Sequence, residues 1–296
     1  MFSPPRLYPT DLTDAEWQIL EPLIPAPKPG GRPPKWTRRV ILDGIFYLVR
    51  SGCHWRLLPR EFPPWKTVYH YFRAWRIDGT WKRLNATLRE RERTRQGRNP
   101  QPSGCIMDSQ YPFRAQSART TSVGGIRGYD GGKQQSCIFE KLSGRKRHLL
   151  VDTLGLVLTA TVHAADMQDR AAVPDVLRGV KDLFGRLAHI WLDQGYTGAG
   201  KAWIERELGW SVEIVKHAPR PRGMWVFPGQ EVDPAIFQRP KGFRHLPRRW
   251  VIERTFSWFG QARRLSKDYE RLPETEEAII YATMSRLMLR RLARAA

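Results

Sequence analysis

The hydrophobic pattern changes period near residue 100, and that change constrains the fold more than any single motif. Before it, apolar residues recur at helical spacing between Pro- and Gly-rich breaks; after it, short apolar runs alternate with helical segments. TDAEWQILEPLIP opens on Thr13 as a cap and keeps Trp17, Leu20 and Ile24 on one helix face. After the turn-rich PAPKPGGRPPK, TRRVILDGIFYLVRSG predicts a second amphipathic helix ending at Gly52. HWRLLP is a short element, and PPWKTVYHYFRAWRIDGTWKRLNATLRERER predicts helices that break at Gly79. RTRQGRNPQPSG reads as a linker, so the expected division is a helical unit over 1–100 and a second unit over 101–296.

In the second unit CIMDSQ predicts a short buried strand ending in Asp108. RHLLVDT and LVLTATVHAAD form a hairpin about Leu154 and Gly155, and DRAAVPDVLRGVKDLF is helical. LAHIWLDQGY is a strand ending in Asp193, followed by the helix GKAWIERELG, the strand SVEIVKH, a long irregular stretch and a helix bearing Glu253. That order predicts an α/β class, with a mixed sheet flanked by helices.

With 296 residues, 41% of them hydrophobic, the chain can bury a substantial core. Its formal charge is +21, with 19 basic against 9 acidic residues in the first hundred and 31 against 20 in the rest. A basic excess spread over both units points to a polyanion, with nucleic acid as the default partner. No apolar run reaches the length of a membrane span, and the N-terminus lacks signal-peptide features, so a cytoplasmic location is expected. Cys53, Cys105 and Cys137 are far apart and indicate neither a disulfide framework nor a zinc site.

Within the helical unit Lys66, His70, Arg73 and Arg76 interleave with Val68, Tyr69, Phe72 and Trp75. This suits the second helix of a helix-turn-helix, which enters a major groove. The alternative is a helical cap whose Arg and Lys stems lie over aromatic rings.

The acids carry the chemistry. Asp108 and Asp193 each end a strand, and in a sheet that binds ligands beyond its strand ends they can project into one crevice, covered by the helix of Glu253. Converging carboxylates repel unless cations neutralise them, and oxygen ligands select hard ions, Mg²⁺ or Mn²⁺. Such ions serve phosphodiester displacement by activating the attacking oxygen and steadying the leaving one. Glu253 lies in RRWVIERTFSWFGQARRL, where a continuous helix puts Arg249, Arg264 and Lys267 within about 40° of it. One reading makes Glu253 a solvated salt-bridge partner; the other makes it a metal ligand beside arginines that hold phosphates. GRKRH begins a core strand and offers Arg145, Lys146 and Arg147 to the same phosphates.

IMDSQ, TTSVGGIRGYDGGK, GRKRHLLVDTLGLVL, VHAADMQDR, LDQGYTG and RRWVIERTFSWFGQARRLSKDYE, with the N-terminal LTDAEWQILEPLIP and SGCHWRLLP, resemble the bacterial DDE transposases of the insertion sequence five family. The resemblance covers nearly the whole chain. It implies a ribonuclease-H-like catalytic core, preceded by a helical domain that helps bind the element's terminal inverted repeats. It also implies that Asp108, Asp193 and Glu253 are the catalytic, metal-binding triad, with Arg249 the basic position of the glutamate motif and Tyr196 completing the aspartate motif. A bacterial, nucleoid-associated transposase acting as a homodimer or higher multimer on double-stranded DNA is the resulting expectation. Segments 111–119 and 134–143 depart from the family's pattern by their length. Two rivals share the residues: a DNA binder that has lost chemistry, and a nuclease that lacks strand transfer.

Overall fold

The computed structural model describes residues 6–26, 34–110, 128–130, 142–215 and 248–295, with only the backbone path at 128–130 and 142–143. Most of TTSVGGIRGYDGGK, both unusual segments apart from 142 and 143, Cys137, and 216–247 of the irregular stretch lie outside these residues.

Helix α1 (Asp14–Leu20) starts where predicted, because Thr13 Oγ1 accepts the Glu16 N–H while Glu16 Oε2 accepts the Thr13 N–H. Helix α2 (Arg38–Ser51) ends at Gly52, whose φ of 73° is left-handed. A Cβ on Gly52 would also lie 2.9 Å from Arg263 Cβ, so glycine is required there twice over. Asp78 and left-handed Gly79 separate α3 (Trp65–Ile77) from α4 (Thr80–Arg95). Val68, Phe72 and Trp75 form the buried stripe of α3.

Six strands follow: β1 (Gly104–Gln110), β2 (Gly128–Asp130), β3 (Leu142–Asp152), β4 (Val157–Ala164), β5 (His189–Leu192) and β6 (Ser211–Ile214). The main sheet runs β4-β3-β1-β5-β6, and short β2 extends it along the first residues of β3. β3 is antiparallel to β4 and β1, whereas β1, β5 and β6 are parallel. The predicted β3–β4 hairpin turns through Leu154 and Gly155, the latter at φ 78°.

Alternation along the strands sends side chains into two helix layers. Ile106, Leu149 and Val151 face α8 (Arg249–Phe259), α9 (Pro273–Ala293) and the N-terminal helices. Cys105, Met107 and Leu150 face α5 (Asp169–Leu177), α6 (Val180–Leu183) and α7 (Ala199–Trp203). The result is the mixed, helix-flanked sheet of a ribonuclease-H-like core with a helical region before it. Helices α1–α4 share one apolar cluster with α9 and the sheet, and the Asn85 side chain donates to the Val157 carbonyl at 2.9 Å. Arg93 and Asp152, both buried, join α4 to the end of β3. The loop after α4 therefore divides the chain in sequence but does not interrupt its core.

Candidate active site

Strand pairing brings two of the three predicted acids together. Met107 is the register partner of Leu192 on parallel β5, so Asp108 and Asp193, next along each chain, stand side by side where that pairing ends, while β1 runs on to Gln110 against β3. Asp108 is buried, and the Ser109 N–H donates to its Oδ1 at 2.7 Å. Asp193 caps the following turn by accepting the Gly195 N–H at 2.8 Å. Burial raises the Asp108 carboxyl to about 7, and the Asp193 charge adds to the rise; the Ser109 N–H and Arg249 oppose it. A buried acid pressed against a second acid fits a site that receives a cation.

Glu253 lies on α8, which packs against β1. Its carboxylate is about half exposed and accepts a hydrogen bond from Arg249 Nε at 3.1 Å. Among the described residues no three His, Cys, Asp or Glu side chains are gathered closely enough to hold a metal ion. The donor set thus fits a hard cation at Asp108 and Asp193, while Glu253 is engaged through Oε1 by Arg249.

Of the polar frame around the two aspartates, the sequence singles out Tyr196 but not Asp169, Ser109 or His148. Asp169, the first residue of α5, accepts the Ser109 hydroxyl at 2.9 Å and Lys146 Nζ at 3.0 Å. Buried Tyr196 hydrogen-bonds Ser109, and its hydroxyl lies 3.3 Å from His148 Nδ1. Burial lowers His148 to about 3, with His163 adding to the shift, and burial raises the Tyr196 phenol, so both rings are neutral at pH 7. The usable signal for Asp169 was its place: an acid opening a helix that follows the strand paired with β3.

Four of the expected phosphate contacts are turned inward. Lys146 is buried and also donates to the Met167 carbonyl at 2.9 Å. Arg145 and Arg147, both buried, point to the other face of β3, where Arg145 pairs with Asp268 at 3.5 Å and Arg147 pairs with Glu276. β3 lies between β4 and β1 with helices on both faces, so no side chain on this stretch reaches solvent without a break in packing. Arg264 is also buried and pairs with Glu270 at 2.6 Å, because α8 stops at Phe259 and the chain turns through Arg263–Leu265. The continuous basic stripe past Glu253 is therefore absent, although Lys267 is exposed. On α3, Lys66 and Arg73 are exposed on the side away from Val68, while Arg76, one helical turn after Phe72, is half-buried at the edge of the apolar stripe.

Comparisons with known proteins agree with this architecture. Residues 99–288 match the family model "Transposase DDE domain", and residues 12–85 match "Putative transposase of IS4/5 family". The chain belongs to the transposases with a DDE domain. It is 36% identical over 84 residues to "Insertion element IS402 uncharacterized 16.2 kDa protein" of Burkholderia cepacia, across 26% of this chain and 56% of that protein. It is 29% identical over 77 residues to "Uncharacterized protein y4sN" of Sinorhizobium fredii (strain NBRC 101917 / NGR234), across 26% of this chain and 62% of that protein. The matches thus span less than two thirds of these relatives' length. No solved structure gives a significant match.

Proposed function

We propose that this chain is a transposase that binds the terminal inverted repeats of its insertion sequence and catalyses metal-dependent DNA cleavage and strand transfer. The observation that carries the reading is the pair of acids side by side where adjacent parallel strands stop pairing, one of them buried and held up to about 7. Asp108 and Asp193 would hold Mg²⁺, with Mn²⁺ an acceptable substitute, and Glu253 would complete the set. When bound, such an ion supplies Lewis acidity to a phosphodiester and a more acidic attacking hydroxyl. The chain's own residues do the rest: the Ser109 N–H orients Asp108, the Gly195 N–H orients Asp193, and Arg249 lowers the electrostatic cost of the clustered acids.

In this reading α3 presents Lys66, Arg73 and Arg76 to DNA within a helical region over 1–100, while 101–296 forms the catalytic unit. Arg249 and Lys267 lie nearer the chemistry. An element has two ends to process, which favours a homodimer or higher multimer on DNA. No described helix is long and apolar enough to cross a membrane, and the proposed place of action is the bacterial cytoplasm, at the nucleoid.

The Glu253–Arg249 ion pair favours a second reading, a DNA binder without chemistry, because it leaves the third acid engaged. The test is to incubate the purified protein with end-bearing and scrambled DNA, with and without Mg²⁺, and to map breaks and joints. Mg²⁺-dependent breaks at the end followed by joints support the transposase. Breaks without joints indicate a nuclease, and end binding without breaks indicates the binder.

A further inference from the structure

We propose that Asp169 is a positioning residue for the acidic pair: clamped by Lys146, it holds Ser109, and through Ser109 it sets the carboxylate of Asp108 beside Asp193. The inference rests on the metal-site reading above.

Ser109 is the link. Its hydroxyl donates to Asp169 Oδ1 at 2.9 Å, and its N–H donates to Asp108 Oδ1 at 2.7 Å. Fixing the hydroxyl therefore fixes the backbone donor that orients Asp108. Lys146 Nζ reaches the same Asp169 oxygen at 3.0 Å and the Met167 carbonyl at 2.9 Å, tying β3 and the turn before α5 into the clamp. The other Asp169 oxygen faces the loop after Asp193: a Cβ on Gly195 would lie 3.0 Å from Asp169 Oδ2 and 3.1 Å from Asp193 Oδ1. One side chain thus braces both acid-bearing strand ends.

Asp169 is the first residue inside α5 and not its cap, which is Gln168, so closing the helix end does not account for its carboxylate. A third carboxylate beside Asp108 and Asp193 adds repulsion that a purely local cap would avoid. The charge has a use in holding the buried Lys146 ammonium, which donates to Asp169 Oδ1 at 3.0 Å. Residues that orient metal-binding carboxylates typically change metal affinity by about 10–100-fold when removed.

The experiment measures Mn²⁺ binding by electron paramagnetic resonance, together with amide exchange over residues 104–110 in the metal-free protein. Wild type is compared with Asp169→Ala, Asp169→Asn, Ser109→Ala and the double variant Asp169→Ala/Ser109→Ala. The expected result is about 10–100-fold weaker Mn²⁺ binding and faster exchange in both alanine variants, with the double variant no worse than Asp169→Ala alone. Asp169→Asn, which keeps an acceptor oxygen, should recover part of the affinity. If Asp169→Ala does not fold, Ser109→Ala and Asp169→Asn carry the same comparison. Alanine variants that bind Mn²⁺ as tightly as wild type, with only a lower melting temperature, would overturn the inference alone. Wild-type protein that binds no Mn²⁺ would overturn the metal-site reading and the inference with it.

Discussion

Asp108 and Asp193 stand side by side where the pairing of two neighbouring parallel strands ends, one residue beyond the Met107–Leu192 register pair. Two carboxylates so placed, one of them buried, compete for a proton or a cation. Because burial and Asp193 raise Asp108 to about 7, a metal ion must displace a proton below that pH. Mn²⁺ affinity should therefore rise about tenfold per pH unit up to about pH 7 and then level off. Asp108→Asn should remove both the site and its pH dependence. Titration calorimetry from about pH 5 to 8 reads this directly, and an affinity independent of pH in wild type would contradict it.

Glu276 accepts Arg147 and lies within 4.0 Å of Arg145, and all three side chains are buried. Glu276→Ala leaves buried guanidinium charge without that partner, which should destabilise the fold by about 3–5 kcal/mol in denaturant unfolding. Glu276→Gln, which keeps an acceptor, should cost less. A change below about 1 kcal/mol for the alanine variant would mean that water reaches this cluster.

The Asp43 carboxyl accepts the Leu12 N–H at 2.7 Å, yet burial raises it to about 7. The folded chain keeps that proton between about pH 4 and 7, where the unfolded chain has lost it. The associated stability is complete below about pH 4 and is lost as pH rises through about 7. Asp43→Asn should flatten this slope while keeping the Leu12 bond. Unfolding curves in mildly acidic and neutral buffer test it; an unchanged slope in the variant would remove Asp43 as its source.

Lys66 and Arg73 project from α3 into solvent, opposite the Val68, Phe72 and Trp75 stripe. If each meets one phosphate, replacing either with Ala should flatten the log–log salt dependence of DNA binding by about 0.9. Arg147→Gln, in the buried cluster, should leave that slope unchanged. An Arg147 effect equal to that of Arg73 would indicate that the cluster opens on DNA.

Reading the period of the sequence placed α1–α4, β1, β3–β6, α7 and α8, because amphipathic spacing, the Thr13 cap, and the stops at Gly52 and Gly79 are local properties, but it did not place β2, the break between α5 and α6, or α9. The strand-end aspartates were legible for the same reason. The fate of charges whose partners lie far along the chain was not. Arg147 meets Glu276 across more than a hundred residues, and Lys146 differs from it only by facing the other helix layer. Period-two alternation predicts that these neighbours diverge, but not that both faces are covered. The stripe through Arg264 failed because α8 ends at Phe259, before the apolar spacing does. The packing of the helical region was hidden for a related reason: α9, last in sequence, supplies much of the core that α1–α4 pack on.

In the proposed reaction Glu253 acts with Asp108 and Asp193, although here it bonds to Arg249. The most direct measurement compares Mg²⁺-dependent cleavage of end-bearing DNA by wild type and Glu253→Gln, alongside their DNA affinities. Wild type should cleave, the variant should lose about a thousandfold or more in rate, and binding should stay unchanged within about twofold. Cleavage by Glu253→Gln at the wild-type rate would contradict that role and leave Glu253 as the salt-bridge partner of Arg249 alone.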